Sequence, residues 1–211
     1  MDIIESQASE FKNALRSHAA AYQLALAAET VENLAAYFSL ITKWNARLHL
    51  VSFASPQEFA TRHVLESLVL LKYLQSNSSV ADVGSGGGLP IIPCLIARKD
   101  IRAVLIESSK KKATLLREAV RRTRTDSRSQ VIPERFENLP PPAAHAVTCR
   151  ALEKFASSLP RLAAWAPPTA SLLFFGGENL GAALTDLQLG HQRILLPNSE
   201  RRYLFVIAPR N

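Results

Sequence analysis

The sequence predicts an α/β protein: a seven-stranded, mostly parallel sheet with helices on both faces, preceded by a helical extension. Three observations carry that expectation. From Val80 onward, short apolar runs alternate with helical spacing, the signature of a parallel sheet covered on both sides. The first of these runs ends in Gly84-Ser85-Gly86-Gly87-Gly88, which holds four of the chain's eight glycines and leads into a buried helix. Residues 1–76, upstream of it, read as helical, with apolar residues near helical spacing.

In the extension, Phe11, Leu15, Tyr22 and Leu26 fall near that spacing in an alanine-rich stretch. Thr30 with Asn33 three residues on offers a helix start that lacks the full capping box. Leu34, Phe38, Ile41 and Leu48 then mark an apolar face, with Trp44 adjoining it. Ser55-Pro56-Gln57-Glu58 opens a further helix, serine as its cap and proline at its first position. That helix carries Phe59, His63, Leu65, Leu68 and Leu71, and Glu66 stands at i+4 from Arg62 as a possible ion-pair partner. The polar break Ser76-Asn77-Ser78-Ser79 separates an extension, 1–76, from a sheet domain, 77–211.

Strands are expected at 80–83, 102–107, 130–132, 145–149, 171–175, 191–196 and 203–208, and helices at 91–98, 109–124, 153–165 and 178–187. The short turn Pro197-Asn198-Ser199-Glu200 makes the last two strands antiparallel. A sheet of this kind binds its ligand beyond the carboxyl ends of its strands. Residues 82–89, Glu107, the loop after 132 and Cys149-Arg150 therefore converge on one rim.

The residues on that rim narrow the ligand. A dinucleotide fingerprint needs a third glycine where Leu89 stands, and Asp82, two residues before the first glycine, would repel a pyrophosphate. An acidic residue, a glycine turn and a second acidic residue, Glu107, suit a cationic ligand that bears a sugar. Glu107 closes the second strand, where a carboxylate can accept from both ribose hydroxyls. S-adenosyl-L-methionine has the sulfonium, the ammonium and the ribose, and Gly84, Gly86, Gly88 and Leu89 are the turn's candidate contacts to it. The alternatives are a nicotinamide site and a glycine turn with no ligand.

Length fits one domain, or one domain with an extension. No run of eighteen apolar residues exists to span a membrane. Asp2, Glu5 and Glu10 stand where a signal peptide needs a basic region. Cys94 and Cys149 offer neither metal spacing nor a disulfide framework. The expectation is a cytoplasmic enzyme with no membrane or metal partner, acting as a monomer. Its formal charge of +7 is concentrated: between Lys110 and Arg128 eight basic residues face only Glu118 and Asp126. A localised basic surface points to a polyanion. Lys110, Arg117, Arg121 and Arg124 fall within an arc of roughly 60° at 100° per residue, a stripe suited to RNA phosphates.

Several blocks together go further. They are Trp44-Asn45, the stretch from Arg62 and His63 through Glu66, Ser67 and Leu68, residues 82–90 with the glycine turn, Lys111-Lys112, Arg135-Phe136-Glu137 and Arg150-Ala151. On these the chain, from about Trp44 onward, resembles the RsmG (GidB) family of small-subunit ribosomal RNA guanine-N7 methyltransferases. The resemblance implies a class I (Rossmann-like) methyltransferase fold, S-adenosyl-L-methionine as donor, and a guanosine in the decoding-region loop of 16S rRNA, in the small ribosomal subunit, as acceptor. Carried over by position, Gly84 and Leu89 contact the cofactor, Phe136 and Glu137 hold its adenine end, and Arg150 sits at the cofactor-facing rim. Three positions depart from the family: Ile91 follows Pro90 in place of glycine, Cys149 replaces serine, and Phe175 stands before Gly176 where many members have lysine.

Guanine N7 is an unprotonated nucleophile, so its methylation needs alignment rather than a general base. The A-form major groove hides N7, so the target must be looped out or flipped. Arg150 is the expected contact to O6 or a phosphate, with Arg62 and His63 closing the rim over the acceptor. Two other readings compete: RNA cytosine-C5 methylation by a Cys149 thiolate, and a cofactor-binding ribosomal RNA assembly factor with weak or no methylation.

Overall fold

The computed structural model describes residues 3–150 and 155–210. Among them, seven strands form one sheet in the order β3-β2-β1-β4-β5-β7-β6. They are β1 Ser79–Val83, β2 Arg102–Ile106, β3 Ser129–Ile132, β4 Ala146–Arg150, β5 Ser171–Gly176, β6 Gln192–Leu195 and β7 Tyr203–Ile207. Strands β1 to β5 run parallel, and β7 is antiparallel to both of its neighbours. The order reverses between β1 and β4, the topological switch point at which such sheets bind ligands.

Alternation along the strands sorts two cores. Val80, Ala103, Leu105, Ala146, Leu173, Phe175 and Leu204 pack with the extension and with the helices Ile91–Ala97 and Lys110–Arg122. On the other face, Ala81, Val83, Val147, Cys149, Leu172 and Phe174 pack beneath the helices Phe155–Trp165 and Glu178–Asp186. Central strands buried on both faces read as unbroken apolar runs for this reason. Residues 151–154, which include Ala151 and the expected first turn of the helix from 153, lie outside the described residues.

The extension supplies the helices Ile3–His18 and Ala28–Leu48 and a helical run over 56–73. Phe11 stacks on Phe38 with ring centroids 4.6 Å apart, and Phe59 tilts against both. The first core is continuous from Phe11 to Leu204, so extension and sheet bury one shared apolar interior. The second helix begins at Ala28, two residues before the expected Thr30 start, with extended Ala27 as its cap and no side-chain capping bond. Apolar packing of Val31 and Leu34 fixes this start in place of a cap. The Ser55 start is built as expected: Ser55 Oγ accepts from the Glu58 N–H (3.1 Å), and the Glu58 carboxylate accepts from the Ala54 N–H (2.7 Å). Beyond it the run changes type. Phe59–Leu65 is π-helical, Glu66–Leu68 α-helical and Val69–Tyr73 3-10.

The basic helix ends at Arg122, two residues short of the expected 124. The Thr125 N–H bonds the Val120 carbonyl (2.8 Å) and the Arg124 N–H bonds that of Arg121 (3.1 Å). This pair of bonds closes a helix end in which the donor of the shorter loop is left-handed. That residue is Arg124, at φ +54°, a conformation that favours glycine. Arg124→Gly is expected to raise stability by about 0.5–1 kcal/mol, read as a higher urea midpoint at constant slope. An unchanged or lower midpoint contradicts this. No helix among the described residues is long and apolar enough to cross a membrane.

Candidate active site

The glycine turn is tied to the end of β2. The N–H groups of Gly84 and Ser85 both reach the Ile106 carbonyl (2.9 and 3.2 Å), and the Gly86 N–H donates to Glu107 Oε2 (2.9 Å). With these donors taken inside the protein, they are not available to cradle a phosphate, which disfavours a dinucleotide. Gly84, Gly86 and Gly88 all have positive φ. At Gly88, φ is +96° and an added Cβ would lie 2.4 Å from Ile92 Cδ1, so both conformation and space demand glycine. Leu89 is buried beside it.

Asp82 is the unusual group. It is fully buried, and neither carboxylate oxygen has a hydrogen-bond partner. The nearby Ser85 hydroxyl donates instead to the Asp82 main-chain carbonyl (3.0 Å). Burial pushes the Asp82 carboxyl up to about 8; the Ser85 hydroxyl close by offsets part of that rise, and the Glu107 carboxylate adds a smaller push upward. A buried polar group left unpaired costs free energy unless a ligand completes it. Glu107, almost buried, differs: Oε1 accepts from the Ser109 N–H (2.8 Å) and Oε2 from Gly86. Each oxygen keeps a lone pair for a ligand hydroxyl. An unpaired carboxylate for a cation and a second for a diol are what S-adenosyl-L-methionine needs, so the residues present fit this group.

The loop after β3 carries Phe136 and Glu137, the residues expected at the adenine end. The Phe136 ring is buried against Trp165, centroids 5.5 Å apart, so its ring belongs to the second core. Glu137 lies part-exposed between Arg135 (3.8 Å) and Arg161 (3.6 Å).

On the acceptor side the structure reassigns partners. Arg150 Nη2 donates to Glu66 Oε2 (3.0 Å) and to the Arg62 carbonyl (2.6 Å); Nη1 donates to Ser67 Oγ (3.2 Å) and the His63 carbonyl (3.4 Å). Its guanidinium also lies 5.2 Å from the centroid of the Phe175 ring. Four donors held within the protein make Arg150 a brace, which corrects the expectation that it grips the substrate edge. Glu66 does not pair with Arg62 as expected. Arg62 pairs with Glu58 (2.6 Å), which puts the acid four residues before the base, the more favourable helical order. The His63 ring is packed against Phe59 and Phe53, and its Nε2 meets the Ser52 carbonyl (3.0 Å). Burial, with Arg150 nearby, lowers its pKa to about 4, so near pH 7 it is neutral and gives no cation to a phosphate.

The basic stripe meets the rim at one end only. A helix following a parallel strand runs back along the sheet, so Lys110 stands by the rim and Arg121 lies roughly 16 Å along the axis at 1.5 Å per residue. Lys110, Arg117 and Arg121 are exposed on this helix, while Arg124 lies past its end. Arg128 turns inward, donating to the carbonyls of Leu95, Arg98 and Ile101. Among the described residues no group of three metal-ligating side chains converges.

Sequence reasoning missed three parts of this site. Tyr37, fully buried in the extension, donates to the Gly87 carbonyl (2.7 Å) and so holds the glycine turn from a distance of fifty residues. Asn45 fixes the loop beside that turn: Oδ1 accepts from the Leu50 and Val51 N–H groups, and Nδ2 donates to the Val51 carbonyl. Arg202 joins Glu66 from the residue just before β7. The Trp44-Asn45 and Glu66-Ser67 blocks were the available signals; Tyr37 and Arg202 had none.

The profile of the GidB family, rRNA small subunit methyltransferase G, matches residues 30–179. A ribosomal RNA small subunit methyltransferase G of Gluconobacter oxydans is 37% identical over 162 residues, 75% of this chain and 80% of the relative. That of Xanthomonas euvesicatoria is 40% identical over 121 residues, 57% of this chain and 56% of the relative, so this match spans little more than half the relative's length. Among solved structures, a SAM dependent methyltransferase from Aquifex aeolicus aligns with TM-score 0.56 at 16% identity, over 81% of this chain and 98% of that one. A ribosomal protein L11 methylase from Lactobacillus delbrueckii gives 0.55 at 14%, over 76% and 82%. These two likenesses are of fold: the class I methyltransferase sheet. The profile covers most of the chain and includes the glycine turn, both acidic residues and Arg150, and on that match the chain belongs to the GidB family, rRNA small subunit methyltransferase G.

Proposed function

We propose that this chain transfers the methyl group of S-adenosyl-L-methionine to N7 of a guanosine in the decoding-region loop of 16S rRNA, as a cytoplasmic monomer acting on the small subunit or its RNA. The observation that carries this reading is the fully buried, unpartnered Asp82 beneath a glycine turn whose rim is flanked by a basic helix. When bound, the cofactor supplies an electrophilic methyl group on a sulfonium. Asp82 and Glu107 would hold its ammonium and ribose, with the turn from Gly84 to Leu89 shaping the seat. N7 carries no proton to remove, and no base is needed: His63 is part-buried against Phe59 and Phe53 and serves as packing for the mouth. With Arg150 held inside, Arg62 would meet the acceptor; its side chain is about half exposed and paired with Glu58. Cys149 is fully buried on the opposite face of β4 from Arg150, in the core under Phe155–Trp165, which gives a thiolate mechanism no support. Among the described residues Leu187 and Leu195 are the exposed large apolar side chains, too few for a stable dimer face.

Phosphate contacts by the stripe make RNA affinity salt-dependent. Neutralising Arg117 and Arg121 together is expected to reduce the slope of log K against log salt by about 1.4, near 0.7 for each contact to single-stranded RNA. An unchanged slope removes these two from the interface. The reading as a whole is tested by mapping N7-methylguanosine in ribosomal RNA from cells with and without this protein. One modified guanosine that vanishes without the protein and returns with it is expected. An identical map in both overturns the reading.

A further inference from the structure

The carboxylate of Glu66 is fully buried between two guanidinium groups from separate elements. Arg150, at the end of β4, meets Oε2 at 3.0 Å, and Arg202, just before β7, meets Oε1 at 2.9 Å. The same Arg150 holds the main-chain carbonyls of Arg62 and His63, both inside the π-helical segment Phe59–Leu65. A π-helical turn closes its hydrogen bonds over five residues, and such turns are rare and concentrated at functional sites. This one is held from outside at successive carbonyls. The Glu66 N–H closes onto the Thr61 carbonyl, and the Tyr22 hydroxyl of the extension shares its one proton between the same oxygen (3.2 Å) and the Pro197 carbonyl (3.4 Å). Arg150 takes those of Arg62 and His63, and the Ser67 hydroxyl also donates to His63. Rewinding the segment as ordinary α-helix would slip Arg62 by one position, a rotation of about 100° around the axis. Phe175 supports the brace from below, its ring under the Arg150 guanidinium.

We propose that Glu66 is a positioning residue for the RNA acceptor: by seating Arg150 against the carbonyls of Arg62 and His63 it keeps this turn π-wound, and the wound turn sets Arg62 at the mouth. The inference rests on the RNA-methyltransferase reading above. It assigns Arg150, Glu66, Tyr22 and Arg202 one shared task, the register of a single exposed cation. Glu66 then acts on capture of the acceptor and leaves donor binding alone.

The test is a double-mutant cycle in the full-length chain, read as KM for small-subunit RNA, kcat and cofactor Kd. Glu66→Gln keeps shape but leaves buried arginine without its counter-charge. Tyr22→Phe removes one hydroxyl, on the extension, and retains the packed ring. Each is expected to raise KM for RNA, Tyr22→Phe by about fivefold as for one lost hydrogen bond, with kcat and cofactor Kd unchanged. In an Arg62→Ala background neither should raise KM further, because both act through Arg62. Additive losses, a shifted cofactor Kd, or a Tyr22→Phe enzyme with unchanged KM overturns the proposal while leaving the methyltransferase reading standing. A folded wild-type chain that binds the cofactor yet methylates no RNA overturns both.

Discussion

Gly88→Ala is expected to abolish measurable cofactor binding and to lower the melting temperature, whereas Gly87→Ala changes cofactor affinity by no more than a few fold. At position 88 the new Cβ would stand 2.4 Å from Ile92 Cδ1 and 2.8 Å from its Cγ1, with Leu116 Cδ2 at 3.3 Å. Ile92 and Leu116 are fully buried, so neither can move aside without disturbing the core. Forcing a methyl group into a packed interior costs about 1–3 kcal/mol, and holding alanine at a positive φ adds about 1–2 kcal/mol. The alternative is for the turn itself to move. The Gly88 carbonyl accepts from the Ile92 N–H (2.8 Å) and its N–H bonds Ser85 (2.6 Å), so that movement reaches both sides of the turn. At Gly87, by contrast, the nearest atoms are Ile41 Cδ1 and Leu50 Cβ at 3.6 Å, ordinary contact distance. Calorimetric titration and thermal melting of both variants check the contrast, and Gly88→Ala binding within threefold of wild type contradicts it.

The second large effect concerns pH. In the folded chain Asp82 holds its proton up to about 8, against an ordinary 3.8, so between these values the folded state binds a proton that the unfolded state has released. Stability from this group is therefore fully present at acid pH and is lost as pH rises through that window, at up to about 1.4 kcal/mol per pH unit. His63 works in the opposite sense. Its pKa falls from 6.5 to about 4 on folding, so its contribution is present above 6.5 and is lost as pH falls toward 4. The two slopes oppose each other below 6.5, and only the Asp82 loss remains from there to about 8. Denaturant unfolding of the cofactor-free chain should accordingly show stability falling over pH 6.5 to 8, and Asp82→Asn should flatten that fall. A wild-type curve flat across this range, or one unchanged by Asp82→Asn, contradicts the assignment.

Much of the architecture was legible because its signals are local. All seven strands sit within two residues of where apolar runs bounded by polar or glycine breaks place them, and the antiparallel last strand follows from a turn too short for a crossover. Asp82, the glycine turn and Glu107 were legible for the same reason: strand ends of a parallel sheet share one rim. What escaped is tertiary. Glu66 finds Arg150 and Arg202 at separations of 84 and 136 residues, where no helical spacing rule reaches, and this leaves Arg62 to Glu58. The π-helical form of Phe59–Leu65 depends on hydroxyl and guanidinium donors from the extension and β4, so no local pattern announces it. Arg124 left the stripe because helix termination at Thr123 rests on threonine hydroxyls and a left-handed residue that is not glycine. Arg150 stands at the end of β4, and only its partners showed that its donors turn inward.

A buried acid completed by a bound cation is the centre of the site, and one titration addresses it. S-adenosyl-L-methionine is titrated calorimetrically into the wild-type chain and into Asp82→Asn near pH 7, in two buffers of different ionisation enthalpy. Because Asp82 carries a proton below about 8 in the free chain, wild-type binding is predicted to release close to one proton, and the variant to bind at least tenfold more weakly with that release gone. Binding by folded wild type without proton release and matched by Asp82→Asn, or no binding heat at all, would contradict it.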